Sequence, residues 1–343
     1  MRALQRLGEL YRIGGGPGAN RSSGSAAEDA AHELAAGWLE AAGLAVEHDA
    51  AGNLLGRLPG TRSDLEELWT GSHLDSVPHG GRLDGALGVV AAIEAVERMG
   101  RQERTLGVVA FRGEEVGCIG SRARTREIGA LPGAFLELHI EQGPRLETVG
   151  APLAVVPSIV GYARGTISAS GRAAHAGTTP MDVREDALVA AAERVLAIRD
   201  AALATPDTVA TVGQLTVEPG AANVVPARAT FTVDARAPDR ERLDELVAAI
   251  GFEPSLRVEP ITLDDRVCAA VHEAIDELGC PAFELPSGAG HDAGILAAAG
   301  VPSGMLFVRS LNGGVSHSPD EHSSDEDVLL AIDALERALR KLL

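Results

Sequence analysis

The chain has 343 residues, a length that suits about two domains. Hydrophobic residues make up 45% of the sequence and the mean hydropathy is +0.07, so the chain can build packed cores and wholesale disorder is excluded. The formal net charge of −19 argues against binding to nucleic acid or to an anionic membrane surface, because both partners would be repelled.

Predicted helices and strands alternate in the first part of the chain. A helix begins at Ser25 or Glu28 and runs to Ala42, and Gly43 lies where a C-terminal cap belongs. The elements that follow are strands at 53–58 and 68–73, a helix at about 85–99, and strands at 106–111 and 135–140. This alternation predicts an α/β layer with a largely parallel sheet.

The middle of the chain has a different pattern. Residues 164–170, 208–217 and 228–234 alternate apolar and polar side chains, which predicts half-buried strands of an open-faced sheet. Two helical stretches lie between them, at about 182–202 and 239–250. The order β-α-β-β-α-β predicts a small α+β domain with a four-stranded antiparallel sheet and two helices.

The α/β pattern returns after this domain. The remaining elements are helices at 264–278, 292–299 and 324–343, and strands at 282–285 and 303–308. We therefore predict a discontinuous first domain of residues 1–157 and 262–343, with an inserted domain of residues 158–261.

The cysteines and the apolar segments predict a soluble protein of the cytoplasm. Cys118, Cys268 and Cys280 are too few and too scattered for a disulfide framework or a Cys-based zinc site, which suits a reducing compartment. The first residues contain no apolar stretch typical of a signal peptide. The most apolar window, 86–96, contains Glu94 and is too short to span a bilayer.

Acids and histidines are concentrated where the predicted strands of the first domain end. His73 and Asp75 close one strand, and the period of two places both side chains on the same side. Asp84 lies among glycines that let the backbone bend sharply. Glu114 and Glu115 follow another strand directly. Open α/β sheets bind their ligands at the carboxyl ends of the strands, so this edge is the candidate site.

Two further histidines complete a set of metal donors. His139 closes another strand and His317 lies in a polar loop. Imidazole and carboxylate donors without thiolate suit zinc, manganese, cobalt or nickel. Two such ions about 3.5–4 Å apart need a bridging carboxylate and a bridging water, and Asp84 is the natural bridge. The predicted dinuclear centre therefore consists of His73, Asp84, Glu115, His139 and His317.

Each of these residues also has a purely structural explanation. A single histidine at a strand end is more often structural than a metal ligand, so only the joint occurrence favours metal. We assign His32, His48 and His272 to the surface, since they fall in predicted helices or turns. We expect His79 to shape the loop beside the site, and His322 to lie in a loop or at the rim.

Seven segments occur in the order found in a known family. They are GSHLDSVPHGGRLDGALG, FRGEE, LELHIEQGPRLE, GRAAHAGTTPMDVREDAL, PGAANVVPARATFTVDAR, SGAGHDA and GGVSHSPDEH. From about residue 25 onward the chain resembles the amidase/hydantoinase/carbamoylase branch of the dinuclear zinc exopeptidase (amidohydrolase) superfamily. That branch includes N-carbamoyl-L-amino-acid amidohydrolase, allantoate amidohydrolase and β-ureidopropionase. The resemblance implies an α/β/α catalytic domain with an inserted dimerisation or lid domain.

The resemblance also implies how the ligands are divided. His73, Asp84 and His139 correspond to the ligands of one metal ion, and Asp84, Glu115 and His317 to the ligands of the other. The implied cofactors are two divalent metal ions, with zinc first and manganese, cobalt or nickel as alternatives. Asp84 belongs to both sets and is therefore the shared carboxylate.

Further catalytic roles follow from the same resemblance. Glu114 corresponds to the general base, and Asp75 to the carboxylate that orients His73. In the family the inserted domain forms the homodimer, and the histidine of HAGTTP reaches the active site of the partner. His175 would therefore stabilise the developing oxyanion there. Without the resemblance, a turn residue before a helix is the simpler interpretation of this histidine.

Substrate contacts are implied by matching positions as well. The corresponding residues are Gln142, Asn223, Arg236, Gly288, Gly290 and His291. Arg236 would hold a carboxylate through two hydrogen bonds. The chain departs from the family at 116–134, which is shorter than usual, and at 251–262, which is trimmed. A more open pocket or an altered dimer are the resulting hypotheses.

We expect hydrolysis of a linear C–N bond in a small carboxylate substrate, first of all an N-carbamoyl-L-amino acid. A metal-bridged hydroxide would attack the carbamoyl or amide carbon, with Glu114 as base and then as acid. Cleavage of allantoate is the close alternative, and a peptidase or N-acyl-amino-acid hydrolase is the next. A non-catalytic metal-binding relative is the alternative from another class, and Glu114 argues against it because a binding module needs no base.

Overall fold

The structure, a computed structural model, describes residues 1–127 and 130–343. These residues form two compact units. The larger unit contains Met1–Pro157 and Thr262–Leu343, and the smaller unit contains Ser158–Ile261. The predicted mixed α/β fold class is confirmed, since helices and strands are interspersed in both units. Among the described residues, no helix has both the length and the apolar character needed to cross a membrane.

The secondary-structure elements are numbered along the chain. Those that precede the smaller unit are α1 (Arg2–Arg12), α2 (Ala26–Ala41), β1 (Ala45–His48), β2 (Leu54–Leu58), β3 (Leu68–His73), α3 (Ala86–Met99), β4 (Leu106–Phe111), α4 (Ile119–Glu127), β5 (Ala134–Ile140), α5 (Arg145–Val149) and β6 (Leu153–Val156). The next are β7 (Ser158–Ile159), β8 (Gly161–Ser170), β9 (Ala174–His175), α6 (Ala187–Ala204), β10 (Val209–Thr211), β11 (Leu215–Glu218), β12 (Val224–Val225), β13 (Arg228–Ala237), α7 (Arg240–Ile250) and β14 (Leu256–Val258). The last are β15 (Ile261–Thr262), α8 (Asp265–Glu277), β16 (Phe283–Glu284), α9 (Asp292–Ala298), β17 (Ser303–Val308) and α10 (Asp325–Lys341).

The main sheet of the larger unit has the strand order β1-β2-β4-β3-β5-β17-β6-β16. Its centre is parallel, because β3 pairs with β4 and β5, and β5 with β17, all in the same direction. The pairs β1–β2, β2–β4 and β6–β17 are antiparallel. The edge pair β6–β16 is parallel as well, so the prediction of a largely parallel sheet is correct for the centre and for this edge. The three antiparallel pairs were not predicted, since apolar runs do not encode strand direction. The parallel centre brings the carboxyl ends of four strands to one edge.

The central strands and α3 form the core of the larger unit. Every residue of β3, β4 and β5 is buried, and so is nearly all of α3. A methyl group on Gly88 of α3 would lie 2.4 Å from the carbonyl oxygen of Leu138, so this glycine lets the helix pack closely on β5. The start of α3 is thereby fixed just after Asp84.

The helix α1 is absent from the predicted elements. Its residues Leu7 and Leu10 are buried, and two of its three arginines pair with an acid of α3. Nε of Arg2 and Nη1 of Arg6 each lie 2.8 Å from Oε1 of Glu94. That carboxylate is almost fully buried, and its partners lie on a helix distant in sequence. The local sequence pattern therefore does not reveal the pairing.

The smaller unit is an antiparallel sheet with two helices. The strand order is β10-β13-β8-β14, and β11 also pairs with β13. The prediction of four strands is therefore corrected to five, because the stretch predicted as one strand at 208–217 is interrupted after Thr211. The helix predicted from 182 begins only at Ala187, since Asp186 caps it by accepting hydrogen bonds from the backbone N–H groups of Leu188 (2.9 Å) and Val189 (3.2 Å).

The assignment of His32 to the surface is wrong, because this side chain is buried. It lies on α2 with 0% exposure, and neither ring nitrogen has a hydrogen-bond partner among the described residues. Its nearest acid is Glu28, with Oε1 4.0 Å from Nε2. Burial, assisted by Arg112, lowers the pKa of His32 to about 3. The ring is therefore neutral in the folded protein at ordinary pH.

We expect His32→Leu to stabilise the protein, and increasingly so as the pH falls. Removing a buried polar group without partners should gain about 1–3 kcal/mol at pH 7.5. The folded pKa of about 3 lies below the ordinary 6.5, so the wild type loses stability as the pH falls from 6.5 toward 3, because the unfolded chain takes up a proton that the folded chain does not. The difference between variant and wild type should grow by about 1.4 kcal/mol per pH unit there. Urea unfolding at pH 7.5, 5.5 and 4.5 measures it.

A matched control is His272→Gln, because His272 is about half exposed on α8. This variant should unfold like the wild type at each pH. A constant difference between His32→Leu and wild type from pH 7.5 to 4.5 would contradict the prediction.

Candidate metal centre

The predicted metal donors meet at the carboxyl edge of the main sheet. His73 is the last residue of β3 and His139 is the last but one of β5. Glu115 follows β4, and Asp84 precedes α3. His317 lies in the loop between β17 and α10, where its φ of 55° is left-handed. The structure groups these side chains as two sets that share Asp84, one with His73 and His139 and the other with Glu115 and His317.

The distances between donor atoms fit a metal ion on either side of Asp84. Nε2 of His139 lies 3.3 Å and Nε2 of His73 lies 3.8 Å from Oδ1 of Asp84. Nε2 of His317 lies 3.4 Å from Oδ2 of Asp84 and 3.4 Å from Oε2 of Glu115. Two ligands of a tetrahedral zinc ion with bonds of about 2.1 Å are about 3.4 Å apart. One oxygen of Asp84 thus faces each set.

Several of these donor atoms lack any other partner. Nε2 of His73, Nε2 of His139 and Oδ1 of Asp84 are buried without a hydrogen bond within the part of the chain that the structure describes. Buried polar atoms are almost always satisfied in folded proteins. These three atoms converge on one point, so the donor set fits a divalent cation there.

Asp75 fixes the orientation of the first histidine and of the two glutamates. Its Oδ1 lies 3.2 Å from Nδ1 of His73. A proton on Nδ1 leaves the lone pair on Nε2, which faces the donor set. The same carboxylate accepts hydrogen bonds from the backbone N–H groups of Glu114 (3.1 Å) and Glu115 (3.2 Å). Burial opposes ionisation of Asp75, but these bonds outweigh it and lower its pKa.

Glu114 is a buried carboxylate beside the donors. Its Oε2 lies 3.9 Å from Nε2 of His73, and its Oε1 lies 4.0 Å from Nδ1 of His291. Burial raises the pKa of Glu114 to about 7, against the opposing effect of the nearby histidines. A carboxyl group with a pKa near neutrality can both take up and return a proton.

A third group of possible donors consists of Glu137, His139 and His291. It shares His139 with the first set. Both oxygens of Glu137 already accept hydrogen bonds, from Oγ of Ser72 (2.7 Å) and the backbone N–H of Ala293 (2.9 Å). We therefore interpret Glu137 as a hydrogen-bonded buried acid and not as a ligand.

Gln142 and His291 lie close to the donors. Nε2 of Gln142 donates to Oδ2 of Asp84 at 3.1 Å. The ring of His291 is 4.5 Å from that of His139, and its Nε2 lies 2.8 Å from Oγ of Ser287. Of the predicted pocket glycines, Gly288 and Gly290 have open space where a Cβ would be, so close packing does not require glycine there.

The other predicted site residues belong to the smaller unit. His175 and Asn223 are neighbours, since the backbone N–H after His175 donates to the carbonyl oxygen of Asn223 at 3.0 Å. Nδ1 of His175 accepts from the backbone N–H groups of Gly177 (3.1 Å) and of residue 178 (3.2 Å), which leaves Nε2 as a donor in the neutral ring. Arg236 bonds to Oδ1 of Asp234 at 3.0 Å. The structure does not place these three residues among the metal donors, which are all in the larger unit.

Sequence reasoning missed two buried residues of this region. Arg21 is fully buried, with Nε donating to the carbonyl oxygen of Leu74 at 2.7 Å. Glu321 is 7% exposed and bonds to the backbone at Asp84. Glu321 lies four residues after His317 in the motif GGVSHSPDEH, so it could have been noticed. Nothing in the local sequence marks Arg21 as buried.

Comparison with known proteins assigns the chain to a family. The protein-family model described as Peptidase family M20/M25/M40 matches residues 69–341 of the chain. The chain belongs to this family. The N-carbamoyl-L-amino acid amidohydrolase of Geobacillus stearothermophilus is 39% identical, over 97% of this chain and 96% of the relative. The allantoate amidohydrolase of Bacillus subtilis is 35% identical, over 88% and 87%.

A solved structure agrees with this assignment. A hydantoinase/carbamoylase family amidase from Burkholderia multivorans matches with a TM-score of 0.89 and 31% identity, over 98% of this chain and 96% of that one. The predicted family resemblance is therefore confirmed, and the protein is an amidohydrolase. Its His, Asp and Glu groups indicate dependence on metal.

The comparisons also bear on chain length. The alignment with the Geobacillus stearothermophilus relative spans 395 positions, more than the 343 residues of this chain, so that relative carries segments absent here. Their location at 116–134 and 251–262 stays a prediction. Residues 128 and 129 of the first segment lie outside the described residues.

Proposed function

We propose that the protein hydrolyses a linear C–N bond of a small carboxylate substrate, first of all an N-carbamoyl-L-amino acid. The observation that carries this proposal is the pair of donor sets sharing Asp84, with the buried acid Glu114 beside them. The relative from Geobacillus stearothermophilus, 39% identical over nearly the whole chain, supports the choice of substrate.

The proposed roles follow from the positions of the donors. His73, Asp84 and His139 would hold one ion, and Asp84, Glu115 and His317 a second. Two divalent ions, zinc first and manganese, cobalt or nickel next, would lower the pKa of a water and polarise the substrate carbonyl. Glu114 would take a proton from the attacking water on its carboxylate and return it to the leaving nitrogen.

The substrate contacts belong to the proposal as well. Arg236 would hold the substrate carboxylate, and Asp234 holds the guanidinium in place for this task. Asn223, Gln142 and His291 would add polar contacts, with Gly288 and Gly290 in the pocket loop. We also propose a homodimer through the smaller unit, in which Nε2 of His175 stabilises the oxyanion in the site of the partner. A reducing cytoplasm suits the free cysteines.

Allantoate is the second candidate substrate. The allantoate amidohydrolase of Bacillus subtilis is 35% identical and favours it. Allantoate also combines a carboxylate with ureido groups, so the same contacts serve both substrates. A peptidase or N-acyl-amino-acid hydrolase comes next, and a non-catalytic metal-binding protein would have no use for a buried acid such as Glu114.

Hydrolysis of a substrate panel tests the proposal. The metal-free protein is reloaded with zinc, manganese or cobalt and assayed with N-carbamoyl-L-amino acids, allantoate, N-acetyl amino acids and dipeptides. We expect ureido substrates to be cleaved at least about tenfold faster than dipeptides, and the L form faster than the D form. Loss of activity on chelation and its return with metal is the control. Equal inactivity with every metal would contradict the proposal.

A further inference from the structure

Glu321 joins the loop that carries His317 to the loop that carries Asp84. Its Oε1 accepts hydrogen bonds from the backbone N–H groups of Leu83 (2.8 Å) and Asp84 (3.1 Å). Its Oε2 accepts from Oγ of Ser316 at 2.9 Å. One buried carboxylate thus reaches both the shared donor Asp84 and the neighbour of His317.

His317 needs such an anchor because burial does not hold it. Its side chain is 50% exposed and its backbone is left-handed. Gly313 and Gly314, shortly before it, are also left-handed. Glu147 accepts from the backbone N–H of Gly313 at 2.8 Å, but that contact fastens the loop to α5 and does not reach Asp84.

Gly81 provides the space that Glu321 occupies. A Cβ on Gly81 would lie 1.9 Å from Cδ of Glu321 and 2.1 and 2.2 Å from its two oxygens. Gly81 is not among the residues with positive φ, so alanine is compatible with its backbone. The three atoms nearest to that Cβ all belong to the carboxylate of Glu321, which is held by three hydrogen bonds.

We propose that Glu321 is a positioning residue that fixes His317 relative to Asp84. It thereby keeps the two donor sets at the distance and orientation that they have in the structure. The consequence for metal binding rests on the proposed function. The link between the two loops does not, because it is visible in the hydrogen bonds alone.

A double-mutant cycle on the metal-free, full-length protein tests the link. Gly81→Ala, Glu321→Ala and the double variant are compared with wild type by the midpoint of urea unfolding. We expect Gly81→Ala to lower the midpoint clearly in the wild-type background and to have little effect when residue 321 is alanine. An equal shift in both backgrounds would overturn the proposal. If Glu321→Ala does not fold, Glu321→Ser takes its place in the cycle.

Zinc binding tests the effect on the donors. We expect Glu321→Ala to weaken one of two zinc equivalents by about tenfold or more, as for other residues that orient metal ligands. Glu321→Gln keeps an oxygen for the two backbone N–H groups and should stay within about threefold of wild type. Glu147→Ala, which removes an anchor of the same loop that does not reach Asp84, is the matched control and should bind like wild type.

The outcomes separate the two proposals. Unchanged affinity of both equivalents in Glu321→Ala, or an equal loss in Glu147→Ala, would overturn the positioning role. Wild-type protein that binds no zinc, manganese or cobalt would instead overturn the proposed function, while the unfolding cycle would still decide whether Glu321 links the loops.

Discussion

The variant Glu114→Gln is expected to lower kcat by about 10²–10⁴-fold while still binding metal like the wild type. The amide has nearly the shape of the carboxyl group but cannot take up a proton. Glu114 lies near the donors without belonging to either set that shares Asp84, so its replacement leaves the ligands in place. Steady-state kinetics and metal content, measured on the same preparation, give both quantities.

Glu66→Gln is the control for Glu114→Gln, because it removes an exposed acid by the same chemical change. It should leave kcat and metal content unchanged. A kcat of Glu114→Gln within about tenfold of wild type would rule out Glu114 as the general base. Loss of metal from this variant would instead assign it to the ligands.

The variant Asp84→Asn is expected to abolish hydrolysis and to bind at most one metal equivalent. An amide offers one oxygen donor, whereas the carboxylate of Asp84 presents one oxygen to each donor set. The backbone N–H of residue 84 still donates to Glu321, so the loop should keep its place. Activity should fall by at least about 10³-fold, with the affinity of the remaining equivalent reduced by about 100-fold. Zinc titration and kinetics measure these changes.

Titration of the histidines gives an independent readout of Asp84→Asn in the metal-free protein. Burial lowers the pKa of His139, but the close contact with the carboxylate of Asp84, 3.3 Å away, outweighs it and raises that pKa to about 9. The same acid raises the pKa of His317 to about 9. Both values should fall toward or below 6.5 in the variant, by NMR. Asp333→Asn, at an exposed acid, should change neither, and two retained zinc equivalents in Asp84→Asn would contradict the bridge.

The sequence was informative where local geometry decides the outcome. His73 and Asp75 were predicted to lie on one side, and the structure has Nδ1 and Oδ1 3.2 Å apart, although β3 ends at His73 and Asp75 lies in the loop directly after it. The carboxyl ends of parallel strands meet at one edge, so acids and histidines at three strand ends could be expected to converge. Only the resemblance separated Glu114 from Glu115 by role, since both follow the same strand.

The sequence did not predict the features that depend on tertiary packing. His32 was assigned to the surface because a helical histidine has no local mark of burial. Arg21 and Glu321 bond mainly to backbone groups distant in sequence, which no side-chain pattern encodes. The break after Thr211 depends on how β10 and β11 both pair with β13, so the uniform alternation at 208–217 did not reveal it. The helix α1 depends on Glu94, eighty-odd residues away.

The unequal exposure of the two donor sets has a consequence for handling the protein. His73, Asp84 and His139 are all buried, whereas His317 of the other set is half exposed. An ion held by His317 would exchange with solvent and chelators faster than one enclosed by His73 and His139. Dialysis would therefore deplete the outer position first, and the history of a preparation would decide how many of its molecules are half-loaded.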